Sequence, residues 1–158
     1  MTLRLRLTAA AAMAVALGLL AGCGRAPDPA DTPAADAGAP IRVTEARIRA
    51  VVPGRDMTAA YFTIENRGQT PFVLTGVEST QARAIEIHTV ERDGDMARMR
   101  RLPQIAVEPG ALVQFAPGGL HLMIFGVSEP LDPFTATLVS ADGQRLEVAF
   151  ETIAPGGN

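Results

Sequence analysis

From residue 41 to residue 154 the chain is broken at short, regular intervals by turn-forming residues. Val52-Pro53-Gly54-Arg55-Asp56, Asn66-Arg67-Gly68-Gln69, Asp93-Gly94, Glu108-Pro109-Gly110, Pro117-Gly118-Gly119, Glu129-Pro130, Asp132-Pro133 and Ala141-Asp142-Gly143 leave no room for a helix of useful length. The runs between them alternate with a period of two. Ala60, Phe62 and Ile64 interleave with Tyr61, Thr63 and Glu65, as a half-buried strand requires. The same signal predicts strands over 41–50 (with an imperfect alternation), 59–66, 72–77, 84–90, 111–115, 120–125, 134–138 and 145–153. Short strands at this spacing predict an all-β domain, a Greek-key β-sandwich or barrel.

The residues before this domain have a different character. Met1 to Leu20 carries Arg4 and Arg6 ahead of an apolar run and ends in Leu20-Ala21-Gly22-Cys23. A basic start, a short apolar core and small residues before a cut predict a secretory signal over 1–22. The run is too short to span a bilayer comfortably and has no charged stop beyond it. Leu-Ala-Gly-Cys resembles a bacterial lipobox, which implies an acylated Cys23 at the mature N-terminus. Cys23 is the sole cysteine, so no internal disulfide can form. Residues 23–40, rich in Ala, Pro, Asp and Gly, predict a disordered linker behind the lipid. The folded domain is expected over 41–154, with 155–158 a short flexible end. The expected address is the periplasmic side of a bacterial membrane, outer or inner, reached through the lipid anchor alone. Without Arg4 and Arg6 the chain has 12 arginines against 17 acids, net −5. No basic stripe appears, which argues against nucleic acid.

The chain has two histidines, and each has a methionine at a telling distance. In the strand after Pro117-Gly118-Gly119, Leu120, Leu122 and Ile124 face one way, and His121, Met123 and Phe125 the other. His88 alternates with Ile85 and Ile87 and so lies with Glu86 on the polar face. If Asp93-Gly94 forms a two-residue type I′ loop, Arg92 pairs with Asp95, and His88 then lies directly opposite Met99. A four-residue loop keeps that register; a three-residue loop shifts it. Should the two edges converge, His88, Met99, His121 and Met123 would form a site of two imidazoles and two thioethers. Such donors suit Cu(I), whereas Mg²⁺ or Ca²⁺ would call for carboxylates. Met57 and Met96 have no histidine at such spacing and read as packing or rim residues; of the two, Met96 is the better candidate for an auxiliary ligand. Arg98, Arg100 and Arg101 flank Met99 and offer either a docking patch for an acidic partner or a solvated strand edge.

The spacing His88-x10-Met99-x21-His121-x-Met123 resembles the signature of the periplasmic PCu(A)C copper chaperones. Ala60-Tyr61, Glu65-Asn66, Glu86, Met99-Arg100, Pro109-Gly110 and Pro117-Gly118-Gly119 match as well. The resemblance covers about 41–150. It implies a cupredoxin-like fold, an exposed Cu(I) site on the four residues, and no enzymatic activity. It further implies copper delivery to cytochrome c oxidase, chiefly its Cu-A centre, with the oxidase subunit or a thioredoxin-like assembly factor as acceptor. The chaperone itself is expected to be a monomer. Some members carry a Met after the first His, where this chain has Thr89. Others have a Met/His-rich tail, which Pro155-Gly156-Gly157-Asn158 does not supply.

Rival functions meet chemical objections. A blue-copper electron carrier needs a cysteine thiolate, and the domain has none. A hydrolase needs a nucleophile beside a histidine base, yet both histidines are placed with methionines. A four-ligand site leaves no open position for an oxidase's substrate. A copper buffer for resistance, or a metal-free β-sandwich lipoprotein binding a protein, remain the alternatives.

Overall fold

A computed structural model of the chain describes residues 39–127, 131 and 133–156. The expected signal segment, Cys23, nearly all of the linker, and Gly157-Asn158 lie outside them. Ten strands follow in order: β1 (Ile41–Arg49), β2 (Met57–Asn66), β3 (Phe72–Glu78), β4 (Ala82–Asp93), β5 (Met96–Leu102), β6 (Ile105–Val107), β7 (Leu112–Phe115), β8 (His121–Val127), β9 (Phe134–Ser140) and β10 (Arg145–Ile153). Their lateral order is β5-β4-β8-β2-β1-β10-β9-β3-β6, with β7 also on β2. β1 and β10 run parallel and every other pairing is antiparallel. No helix occurs among the described residues, and the all-β expectation holds.

The core is aromatic and aliphatic in the way the alternation requires. Ala60, Phe62 and Ile64 of β2 are buried, as are Leu122 and Ile124 of β8. Phe62 stacks on Phe115 of β7 at 4.2 Å and meets Phe150 of β10 edge-on at 6.1 Å; Phe150 in turn packs against Phe134 of β9. Offset and edge-to-face contacts of this kind favour the ring quadrupoles as well as burying area. They tie the β2 side of the fold to the β9–β10 side.

The imperfect alternation of β1 has a local cause. Ile41 and Ile48 are both buried although seven residues apart, which a regular strand would forbid. The register against β2 slips by one residue between Thr44 and Arg47. Glu45 takes a φ of 55° there, so the strand bulges and re-aims its second half at the core.

Two segments share one edge of β2. Its first half, Met57–Ala60, pairs with β8, and its second half, Phe62–Glu65, pairs with β7. Between β7 and β8 the chain leaves the sheet as Ala116–Leu120. Ala116 N–H donates to the Leu120 carbonyl (2.7 Å) and Gly119 N–H to the Ala116 carbonyl (3.1 Å), closing the excursion. Gly118 sits at φ 77°, where a Cβ would be strained. This excursion delivers His121 as the first residue of β8. β6, three residues between Pro103 and Pro109, was not expected from the sequence.

Candidate metal centre

β4 and β8 are neighbours, and His88 lies directly opposite His121. Residues opposed across a pairing share a face, so successive pairs form rungs across the outer face of the sheet. One rung reads Arg101, His88, His121 across β5, β4 and β8. The next reads Glu86, Met123, Ala59 across β4, β8 and β2. On the other side of the histidines Val90 faces Met99. The four residues singled out in the sequence therefore lie on one face, on three successive rungs.

Met99 does not reach this face by the expected route. Asp93 pairs with Met96, and the two-residue loop is Gly94-Asp95, not Asp93-Gly94. A type I′ loop needs positive φ at both central residues, whereas here Gly94 is positive (58°) and Asp95 is not. Glycine thus occupies the first central position, as type II′ loops prefer. The register moves by two residues, placing Arg101 opposite His88 and Met99 opposite Val90. A shift of two preserves the face. Met99 is therefore His88's diagonal neighbour, not its direct partner.

Met96 and the arginines fare differently. Met96, Arg98 and Arg100 alternate with Met99 along β5 and so face the opposite side. Met96, the preferred auxiliary ligand of the sequence analysis, points away from the histidines. Arg100 is committed to Glu91 (Nε to Oε1, 2.7 Å) and Arg101 to Glu86 (3.2 Å). The arginine patch around Met99 is thus split between two faces, and Arg101 alone shares the face of the histidines.

The histidines are fixed in complementary tautomers. His121 Nδ1 is 3.0 Å from the Gly119 carbonyl oxygen. That oxygen only accepts, so Nδ1 carries the proton and Nε2 presents a lone pair. His88 Nε2 lies 2.8 Å from Glu86 Oε2, so it donates, and the lone pair is on Nδ1. Among the described residues this Nδ1 is buried and has no hydrogen-bond partner. Such an orphan is rare in a native core, and its lone pair is available to a group from outside the chain. Glu86 is itself held ionised: the His88 hydrogen bond, with Arg101's charge behind it, keeps its pKa below the usual carboxylate value. In the sequence this role is signalled only by the i, i+2 spacing of Glu86 and His88 on one strand, which puts both on one face.

The ring centroids of His88 and His121 are 5.9 Å apart. With metal–imidazole bonds of about 2 Å, one ion could touch both rings at that separation. The pair is more sheltered than an exposed site implies. His121 is 5% exposed and the His88 side chain 14%. Met123 is partly covered, and Met99, on the edge strand, is 51% exposed. Among the described residues no cluster of three or more His, Cys, Asp or Glu offers a harder-donor metal site.

The fold has solved counterparts in PCuAC domains. The "Copper-bound PCuAC domain from PmoF2" superposes with a TM-score of 0.62 at 24% identity, covering 74% of this chain and 95% of that one. Its likeness shows the fold. The solution structure of CuI-DR1885 from Deinococcus radiodurans gives 0.60 at 29% identity, over 81% of this chain and 87% of that one. Its apo form gives 0.57 at 28%, over 90% and 97%. In sequence, the family model described as "Putative lipoprotein LpqE-like" matches residues 41–152. A curated relative, "Putative lipoprotein Lxx21020" of Leifsonia xyli subsp. xyli (strain CTCB07), is 31% identical over 94% of this chain and 91% of its own length. The chain belongs to the LpqE-like lipoprotein family. The PCu(A)C resemblance read from the sequence is borne out by these matches, as is the cupredoxin-like fold.

Proposed function

We propose that this domain is an extracytoplasmic copper chaperone that carries one Cu(I) ion as cargo on His88, Met99, His121 and Met123. The observation that supports it most is the pair of opposed histidines, each with one ring nitrogen engaged by a neighbouring oxygen, so that His88 Nδ1 and His121 Nε2 keep their lone pairs. Methionines on the rungs to either side add soft, neutral donors, which favour Cu(I) over harder ions. Thioethers also bring no charge to the metal, so a partner can displace them one at a time. DR1885 from Deinococcus radiodurans, 29% identical to this chain, has a solved Cu(I) form. By the same reading Cys23 carries the lipid and the domain works on the periplasmic side of a membrane. The acceptor is the Cu-A centre of cytochrome c oxidase or a thioredoxin-like factor serving it. The protein acts as a monomer without catalysing a reaction.

Competition with a chromophoric Cu(I) chelator under reductant tests the binding step. One equivalent of Cu(I) should be retained, and Zn²⁺ should not displace it, because two neutral thioethers suit Zn²⁺ poorly. Failure to retain Cu(I), or its displacement by Zn²⁺, overturns the proposal. For delivery, a deletion strain grown at limiting copper should lose oxidase activity. Normal oxidase activity with increased copper sensitivity would instead indicate a buffer.

Glu86 provides a second check. Its carboxylate orients the His88 ring, and losing such an outer partner commonly costs about 10–100-fold in metal affinity. Glu86→Ala is expected to weaken Cu(I) binding within that range while leaving the thermal melt of the apo domain nearly unchanged, since this carboxylate lies outside the core. An unchanged affinity would show that His88 needs no orienting partner.

A further inference from the structure

The ladder of donors does not end at Met123. The rung beyond it reads Ala84, Phe125, Met57 across β4, β8 and β2. Met57 is thus on the same face as Met123 and His121, and is the diagonal neighbour of Met123 across the β2–β8 pairing. Diagonal neighbours lie about 7–8 Å apart, within reach of long side chains. The residue directly opposite Met123 is Ala59, whose methyl group leaves the space between the two methionines open. Met57 and Met123 both line one groove of about 220 Å³, bordered by Arg49, Val52 and Pro155. Its outer wall is apolar and accessible, with Val52 47% and Met57 39% exposed.

An exposed methionine on the solvent side of a sheet contributes little to a core. Here it extends the donor series by one step, from the sheltered histidines through Met123 to the rim. We infer that Met57 is a relay ligand, which takes Cu(I) from the four-residue site as Met123 lets go, and that the groove it lines is the port by which the metal leaves. The exchange passes one neutral thioether for another, so no charge, proton or electron moves with the ion. This inference rests on the proposed Cu(I) site.

The test uses the soluble domain loaded with one equivalent of Cu(I), and compares wild type with Met57→Leu and Met96→Leu. Leucine is close in volume and lacks the sulfur. Met96, also exposed but on the opposite face, is the control. Two quantities are read: the equilibrium Cu(I) affinity, and the rate at which excess bicinchoninate extracts the metal. For Met57→Leu the affinity should stay within about twofold of wild type while extraction slows roughly fivefold or more, because a relay acts on the exit rate. Met96→Leu should alter neither. Extraction from Met57→Leu at the wild-type rate overturns the relay. An affinity loss of about tenfold or more in Met57→Leu also overturns it, by making Met57 a ligand of the resting site. If wild type itself retains no Cu(I), the four-residue site has failed and the relay falls with it.

Discussion

Replacing Asn66 with alanine is expected to destabilise the domain by about 3–5 kcal/mol, because it strips the partners from several buried groups at once. Asn66 is fully buried at the end of β2. Its Nδ2 donates to the carbonyls of Thr70 and Val107, each at 2.8 Å, and its Oδ1 accepts from Gly68 N–H at 2.9 Å. Its own backbone pairs with Ala111 and Gly110. One side chain therefore clamps the turn after β2 to β6, far along the chain and on the other side of the core. Asn66→Asp isolates the donors. It keeps the acceptor, loses the amide protons and aims a carboxylate at two carbonyl oxygens. The folded pKa of the introduced carboxyl should rise above its unfolded value, because burial and the facing carbonyls both disfavour the charged form. The variant should therefore be best tolerated at acidic pH, below the unfolded pKa, and lose stability as pH rises from there through the raised folded pKa. Urea unfolding at several pH values measures both variants. A loss below about 1 kcal/mol for Asn66→Ala would show that water replaces the clamp.

His121→Asn is the second large effect, and it falls on copper rather than on folding. The asparagine amide nitrogen stands where imidazole Nδ1 stood and can still donate to the Gly119 carbonyl, which keeps the turn before β8 in place, but no nitrogen remains at the Nε2 position. Since losing an outer partner already costs about 10–100-fold, losing a sheltered ligand should cost at least ~100-fold in Cu(I) affinity. Met99→Leu should cost less, about tenfold, because Met99 sits on an exposed edge strand and loses side-chain freedom on binding. Chelator competition gives both values. Equal losses for the two variants would mean that Met99 is held as firmly as His121, against its 51% exposure.

Much of the fold was legible because burial alternates simply where strands are regular. Ala60, Phe62 and Ile64 announce β2, and Leu122 and Ile124 announce β8. Where local geometry departs from the period, the sequence misleads. Glu45 in its bulge makes β1 look irregular, and Gly94 in first place moves the β4–β5 register by two residues. That error spared the face assignment because side-chain direction repeats every two residues. Met96, Arg98 and Arg100 face away for a separate reason: they alternate with Met99 along β5, whatever the register. The opposition of His88 and His121 was beyond reach. It depends on β8 inserting between β4 and β2, a matter of strand order that no local pattern encodes. The task of Asn66 was equally hidden, since a turn asparagine and a buried clamp look alike until β6 is placed beside it.

One face of the sheet is proposed to hold Cu(I) with two imidazoles and two thioethers. X-ray absorption at the copper edge of the reduced, singly loaded domain tests it most directly. A mixed first shell of two nitrogen and two sulfur scatterers is expected, with the sulfur contribution halved in Met123→Leu and absent in Met99→Leu/Met123→Leu. A first shell of nitrogen and oxygen alone, or a sulfur contribution that survives the double substitution, would contradict it.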